Sequence, residues 1–404
     1  MSRNILFLCH RVPYPPDKGD RIRSFHILRL LAEMGDVSLG YLADEPIPPA
    51  TADWLSSHCK HVVSEPLTRW RRWLRGGLNL LSGRSATEGL FYSARFRRRI
   101  ESLIKEIDFD VVVCFSSSMV QYALRPGLEP RTIVDLVDVD SQKWRDYADR
   151  AKFPLSWLFR WEANRVRRIE SRVARAKAVV MCTEPEAEIY RRFCPQANSS
   201  VVCNGVDLDY FSPRKTVPTV DCLFVGYLDY RANVTGLQWF CEHVWPRLRE
   251  VRPGAVFQIV GRNPTPPVKR LSEIAGVEVM GPVEDVRESL SNARVIVVPL
   301  LIARGVQNKI LEAMAAGKPV VASPQALAGL GVCHEEDVLA AETPDEWVAA
   351  TTSVLSDPSK ADRVGRNARR YVEDNHQWDA CLRPFSELVE SAAASERHLE
   401  HVHS

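Results

Sequence analysis

The chain holds 404 residues, too many for one ordinary hydrophobic core and suited to two domains. Apolar residues make up 45% and charged residues 26%, the balance of a globular protein rather than a disordered or fibrous one. A formal net charge of only +2 argues against a dedicated nucleic-acid binder, which carries a strong basic excess.

The elements alternate along the chain. Ile5 to Cys9 is a short, wholly apolar run, the pattern of a strand buried on both faces. It lacks the charged start, long apolar run and cleavage site of a signal peptide. A Pro/Gly-rich loop, Arg11 to Asp20, leads into an amphipathic helix carrying Ile22, Phe25, Leu28 and Leu31. Strand patterns follow at Val37 to Leu42, Val111 to Cys114, Thr132 to Val137, Ala178 to Cys182 and Ser200 to Cys203. A second series opens at Cys222 to Val225 and continues at Val256 to Val260, Val277 to Met280, Val295 to Val298 and Val320 to Ala322. Helical patterns lie between, notably Leu237 to Arg249 and Lys309 to Ala316. Such alternation predicts an α/β class with two mostly parallel sheets. The polar, Pro-containing stretch from Phe211 to Pro218 sets the expected boundary. The division is 1–213, 214–378, and a terminal segment 379–404 whose helix is a candidate to pack back on the first domain. Ligands of such sheets bind beyond the carboxyl ends of the strands, so a cleft between two facing domains is the default site.

Ten cysteines are scattered singly, with no CxxC pair and no zinc-type Cys/His spacing. They read as small buried residues in a reducing cytoplasm rather than as disulfides or metal ligands. No apolar run approaches the ~18 residues that span a bilayer.

The most informative stretch is Arg304 to Ala322. A strand ending at Pro299 runs into a loop with Gly305, then a helix, then Gly317, then another strand. Gly305 lets backbone approach a ligand. A helix N-terminus presents free N–H groups and partial positive charge, which suits a diphosphate, and Arg304 and Lys309 add full charges there. Glu312, about one turn in, offers a carboxylate that two ribose hydroxyls would satisfy. The competing reading is an ordinary solvated helix with Gly317 as its C-cap and Glu312–Lys309 as a surface pair.

Glu312, Ala313, Met314, Ala315, Gly317, Pro319, Val320 and Val321 fall at fixed spacing in a strand–helix–strand context. This segment resembles the donor-binding signature E-A-M-A-x-G-x-P-V-V of glycosyltransferase family 4. The resemblance implies a GT-B fold, two Rossmann-like parallel-sheet domains facing a cleft. It also implies Glu312 as ribose ligand and Gly305 and Val306 as diphosphate contacts through backbone amides, with Asn308 beside them. Asn204-Gly205-Val206-Asp207 with Phe211 and Pro213 is similar to the family's hinge segment, and Phe224-Val225-Gly226 to the first strand and loop of its second domain. There are departures. Arg304 stands where the family commonly carries a further glutamate assigned to the donor sugar, so Arg304 and Lys309 point to phosphate or an acidic sugar. Tyr227 takes a usual arginine position, and Arg231 lies near, not on, a usual lysine position.

In the first domain, Pro13-Tyr-Pro-Pro-Asp-Lys-Gly-Asp20 follows the first strand. Similar enzymes carry a glycine pair there against the donor; Gly19-Asp20 keeps one glycine. Lys18, Arg21 and Arg23 make the loop basic, while Asp17 or Asp20 as a helix cap is the plainer reading. Asp138, after the strand Thr132 to Val137, takes the place of a histidine common in retaining members. It is a candidate to orient the acceptor hydroxyl or stabilise positive charge on the sugar ring. Asp138 or Asp140 capping the next helix is equally open. His10 reads as structural. The chemistry implied is sugar transfer with departure of a nucleoside diphosphate, served by Arg304, Lys309 and the helix N-terminus. No cofactor and no metal are expected, and retention at the anomeric carbon comes from the family alone.

Three basic aromatic stripes occur: Leu67, Trp70, Leu74, Leu78 and Leu81; Tyr92, Phe96, Ile100 and Leu103; and Trp157, Leu158 and Trp161. Each fits either sheet packing or contact with anionic lipid. Pro13 to Asp20, Asp138-Val-Asp-Ser-x-Lys-Trp144 and Ala303-Arg-Gly-x-Gln-Asn-Lys309 together resemble the narrower sugar transferases of PEP-CTERM/exosortase systems. That implies a glycan or lipid-linked acceptor in exopolysaccharide biosynthesis and a cytoplasmic protein at the inner membrane face. A sugar-nucleotide epimerase or hydrolase on the same fold, and a non-catalytic nucleotide-sugar-binding protein, are the competing functions. Nucleic acid is not an expected partner.

Overall fold

A computed structural model describes residues 3–17, 19–67 and 85–400, without the side chains of Asp20 and of residues 395–400. Lys18 and the first stripe from Trp70 to Leu81 therefore lie outside the described residues. The chain divides into two compact units, one running to Val202 and resuming at Leu382, the other Cys203–Cys381.

The first unit is built on a seven-stranded sheet: β1 Arg3–Cys9, β2 Gly35–Ala43, β3 His61–Pro66, β4 Val111–Phe115, β5 Thr132–Val137, β6 Ala178–Met181 and β7 Ser199–Val201. The order is β3-β2-β1-β4-β5-β6-β7, with every neighbouring pair parallel. The apolar runs of β1, β4 and β6 are buried throughout, as strands covered on both faces must be. The edge strand β3 has no such run: His61-Val-Val-Ser-Glu-Pro66 buries only Val63, so no apolar pattern marks it in the sequence.

The second unit carries six parallel strands: β8 Val220–Val225, β9 Phe257–Val260, β10 Val277–Gly281, β11 Ala293–Val298, β12 Val320–Ala322 and β13 Leu339–Ala340. Their order is β10-β9-β8-β11-β12-β13. Aromatic residues Phe224, Phe240, Trp245, Phe257 and Trp347 fill one face, and the Ile310–Ala316 stretch with Val320 and Val372 fills the other.

The unit boundary precedes the expected linker. The Asn204–Asp207 segment is bonded into the second unit, with Val206 bridging Gln377 and Arg369 donating to the carbonyls of Leu208 and Phe211. The final helix, Trp378–Glu400, starts in the second unit and belongs to the first from Leu382 onward.

Candidate functional site

Each sheet reverses its strand order once, and at such a switch point the flanking loops diverge and leave a crevice. In the second unit the reversal lies between β8 and β11. The loop after β8 starts at Gly226 and feeds the helix Arg231–His243; the loop after β11 starts at Pro299 and feeds the helix Asn308–Ala315. These walls touch at Gly236, where a β-carbon would stand 2.2 Å from the Pro299 carbonyl oxygen, so only glycine permits the approach. Gly305 is buried with φ of +60°, a left-handed conformation that costs a side-chain-bearing residue energy.

Lys309 reaches from the second loop's helix to the first loop. Its Nζ donates to Asn233 Oδ1 at 2.7 Å and sits 4.7 Å from the centroid of the Phe224 ring. Asn233, itself buried, donates through Nδ2 to the Tyr227 carbonyl at 2.7 Å. One amide thus fixes both the β8 loop and the ammonium. Burial pushes Lys309 down to about 7, opposed by the Glu312 charge. Burial likewise pushes the Glu312 carboxyl up to about 7, opposed by Lys309. Both side chains are partly buried, and the Glu312 carboxylate has no hydrogen-bond partner among the described residues. Two charges held partly out of water, one without a bonded partner, form a site prepared for polar ligand groups.

The helix that carries them is anchored at both ends. Its N-cap, Gln307, makes no side-chain cap bond, and its carbonyl takes only the Ile310 N–H, which leaves the Asn308 and Lys309 amides for an anion. Asn308 Oδ1 accepts from Asn204 Nδ2 at 3.0 Å. At the C-terminus, Gly317 donates to the Met314 carbonyl and Lys318 to that of Ala313, and the Arg369 guanidinium donates to Ala315 at 2.7 Å. Arg304 is half-buried in the loop, its carbonyl accepting from Gln307 Nε2. The Val306 side chain packs on the core. Arg231 is exposed at the first position of its helix. Gly305, Val306, Asn308, Lys309, Glu312, Arg304 and Tyr227 therefore share one switch point. Asn233, Gly236, Asn204 and Arg369 complete it and were missed, because none stands in the motif and each acts across a long sequence interval.

In the first unit the reversal lies between β1 and β4. Two backbones near it are strained: Ser116, just after β4, has φ of +80°, and Val137, ending β5, has φ of +66°. A β-branched residue there is a genuine outlier. Asp138 donates its N–H to the Leu136 carbonyl at 2.8 Å, closing a γ-turn around Val137. Neighbours over-determine this turn. Asp135 accepts from the Val137 N–H and pairs at 2.8 Å with Arg23, both side chains buried. Glu186 accepts from the Val139 N–H at 2.7 Å, and Glu170 from the N–H and hydroxyl of Ser141. Strain held by such a frame is a mark of functional loops. The Asp138 carboxylate accepts from the Cys182 thiol at 3.1 Å. Burial, reinforced by Glu186, pushes it up to about 6. The helix Asp140–Arg150 has Val139 at its N-cap and no side-chain cap bond, so neither Asp138 nor Asp140 caps it.

Several expectations are corrected. Arg23 is not a loop cation aimed at ligand but half of the Asp135 pair, and Arg21 is engaged by Asp17 and Glu45. Gly19 is the exposed first residue of its helix. The second stripe packs inward: Phe96 and Ile100 are fully buried and Leu103 nearly so. His10 stacks on Phe115, as a structural residue would. In the third stripe, by contrast, Trp157 is 61% exposed, beside Phe153 at 83% and Leu155 at 52%.

Replacing Asn233 with Ala removes both of its bonds and leaves the Tyr227 carbonyl with only the longer 3.4 Å bond from the Tyr230 N–H among those described. A loss of about 1–3 kcal/mol is expected by urea denaturation, and a stability unchanged from wild type would contradict the linking role.

Comparison with known proteins follows the same division. Residues 81–210 match the family model described as Glycosyltransferase Family 4, and residues 219–357 the model described as Glycosyl transferases group 1. A relative from Xenopus tropicalis, Glycosyltransferase 1 domain-containing protein 1, is 27% identical over 41% of this chain and 51% of its own length. The chain thus spans about half the length of this curated relative. Sucrose-phosphate synthase from Thermosynechococcus elongatus superposes with a TM-score of 0.70 at 17% identity, over 97% of this chain and all of that one. HepE from Anabaena, solved in complex with UDP-glucose, superposes with a TM-score of 0.65 at 15% identity, over 96% and 99% of the two chains. At these identities the structural likeness is one of fold. The chain has the GT-B fold and, over residues 81–210 and 219–357, is similar to the glycosyltransferases of family 4 and group 1.

Proposed function

We propose that the protein is a hexosyl-type glycosyltransferase that takes a sugar from a nucleoside-diphosphate donor and passes it to a glycan or lipid-linked acceptor. The observation that carries this reading is the switch point of the second unit, where Lys309 and the Glu312 carboxylate, which has no hydrogen-bond partner among the described residues, flank the Asn308 and Lys309 amides of the helix's first turn. Glu312 takes the ribose hydroxyls. The amides of Gly305 and Val306, with Lys309 and Arg304, take the diphosphate. In transfer the anomeric carbon–phosphate oxygen bond breaks and the acceptor oxygen–carbon bond forms. Negative charge grows on the departing phosphate, where Lys309, Arg304 and the helix N-terminus stabilise it. Asp138, titrating near 6, orients the acceptor hydroxyl and offsets positive charge on the sugar ring. Tyr227, Arg231 and Asn308 are the further donor contacts of this reading, and Gly19 and Asp20 are added to them on the family resemblance alone. We further propose that the transfer is retaining and metal-independent, and that it serves exopolysaccharide biosynthesis of the PEP-CTERM-associated kind at the inner membrane face. The UDP-glucose held by a protein of the same fold supports the donor class.

Nucleoside diphosphate release from a panel of UDP-, GDP-, ADP- and TDP-sugars tests this, with and without lipid extract. One donor is expected to turn over only with acceptor, and Lys309→Met to lower kcat by about 10²–10³-fold. A donor changed without any acceptor would indicate an epimerase or hydrolase, and a donor bound but never consumed a binding protein. The free ammonium is held near 7, so it loses its proton as pH rises above that value. The anionic donor binds the protonated form, so kcat/KM should fall by up to about tenfold per pH unit between 7 and 9. Lys309→Arg, permanently charged, should flatten that limb.

Membrane contact is proposed for the Phe153, Leu155 and Trp157 surface, which stands beside the exposed Arg150, Lys152 and Arg160. Sedimentation with phosphatidylglycerol vesicles should be lost in Phe153→Glu/Trp157→Glu. It should be weak on phosphatidylcholine alone; equal binding by wild type and variant would exclude this surface.

A further inference from the structure

All ten cysteines are unbridged; apart from Cys203 and Cys381, seven are buried and Cys333 is exposed. Cys203 and Cys381 differ from the rest. They lie 178 positions apart in sequence, yet their sulfurs are 2.9 Å apart. Cys203 is the first residue of the second unit and Cys381 the last. His376 contributes a ring nitrogen within 4.8 Å of both sulfurs. Its Nδ1 contacts the Asn204 carbonyl at 2.7 Å, and the Cys381 thiol donates to the same carbonyl at 3.6 Å.

We propose that Cys203 and Cys381 form a reversible redox couple that closes into a disulfide by exchange with a small-molecule disulfide. Cys203 is partly exposed and Cys381 buried, which assigns the order of events. The Cys203 thiolate attacks one sulfur of RSSR, breaking that bond and releasing one RSH. The Cys381 thiol then displaces the second RS group from Cys203, forming the Cys203–Cys381 bond and a second RSH. The protein loses two hydrogens and two electrons, and RSSR gains them. In the second displacement the Cys381 proton passes, by way of the adjacent His376 ring, to the departing RS group. The sulfurs need to close by about 0.9 Å to reach bonding distance. A shared metal is the competing occupant, since the same three side chains offer soft ligands. Two tetrahedral metal–sulfur bonds would spread the sulfurs to about 3.7 Å, and the closed structural sites use four ligands where three stand here.

The couple is wired to the donor site. Asn204 follows Cys203, receives His376 and Cys381 on its carbonyl, and donates from its side chain to Asn308, the first residue of the helix that carries Lys309 and Glu312. Closing the bond moves Asn204 and shifts donor affinity. This second step rests on the donor-site reading; formation of the bond does not.

The full-length protein, equilibrated in reduced/oxidised glutathione mixtures and trapped with N-ethylmaleimide, is read by peptide mass. The expected result is a Cys203–Cys381 linked peptide two hydrogens lighter, restored by dithiothreitol and absent in Cys203→Ser and in Cys381→Ser, each checked for a wild-type melting transition. A stable glutathione adduct on Cys203 with Cys381 alkylated would overturn the couple. So would stoichiometric zinc in the purified protein that protects both thiols until chelated. UDP affinity of the two forms should differ at least about threefold. Equal affinity would overturn the coupling alone, and no nucleoside-diphosphate binding by either form would instead count against the donor site.

Discussion

The bond from Lys309 Nζ to Asn233 Oδ1 organises the candidate donor site. An ammonium taken partly out of water needs a partner, and at this switch point it is bonded to one neutral amide and faces one aromatic ring, with the Glu312 charge further off and unbonded to it. Neither the amide nor the ring neutralises it. The charge stays available to an incoming anion, while its position is fixed from the opposite loop. The amide's second bond, to the Tyr227 carbonyl, makes the two loops after β8 and β11 answer to one side chain. Gly236 sets how closely their backbones approach, and Arg369 fixes the far end of the helix. The site is preorganised through these few long-range contacts rather than through the signature residues alone.

The first unit applies the same logic with the opposite charge. Its strained loop is framed by Asp135, Glu170 and Glu186, and Arg23 balances only the first of them at close range. Burial of Asp138, reinforced by the Glu186 charge, raises its affinity for protons, which suits a group that handles an acceptor hydroxyl. The strain at Val137 persists because the buried ion pair and two carboxylate–amide bonds each require the same turn.

The sheets were legible because strands buried on both faces are nearly pure Val, Ile and Leu, and the period of helix and strand separates cleanly. The short edges β3 and β13 were not, since an exposed or two-residue strand has no such pattern. The donor helix was legible because Glu312 to Val321 is a local motif. Its supports were not: Asn233 lies 76 positions from Lys309, and Arg23 lies 112 positions from the Asp135 that claims it. Basic residues crowd the loop after β1 in the sequence, but a buried carboxylate distant in sequence, Asp135, claims Arg23. The stripe at Phe96, Ile100 and Leu103 shows a further limit. Its periodicity is equally that of a sheet-packed and a lipid-facing helix, and only burial separates them. Cys203 and Cys381 carried no signal, being brought together by the chain's leaving and re-entering one unit.

The claim that Glu312 and Lys309 receive a nucleoside diphosphate is tested most directly by calorimetric titration of UDP, GDP, ADP and TDP into wild type and Glu312→Ala. One nucleotide should bind the wild type. The variant, which loses the ribose contact, should bind it at least about tenfold more weakly, equivalent to about 1.4 kcal/mol. Equal affinity in the two proteins would contradict the assignment and place the donor elsewhere in the fold.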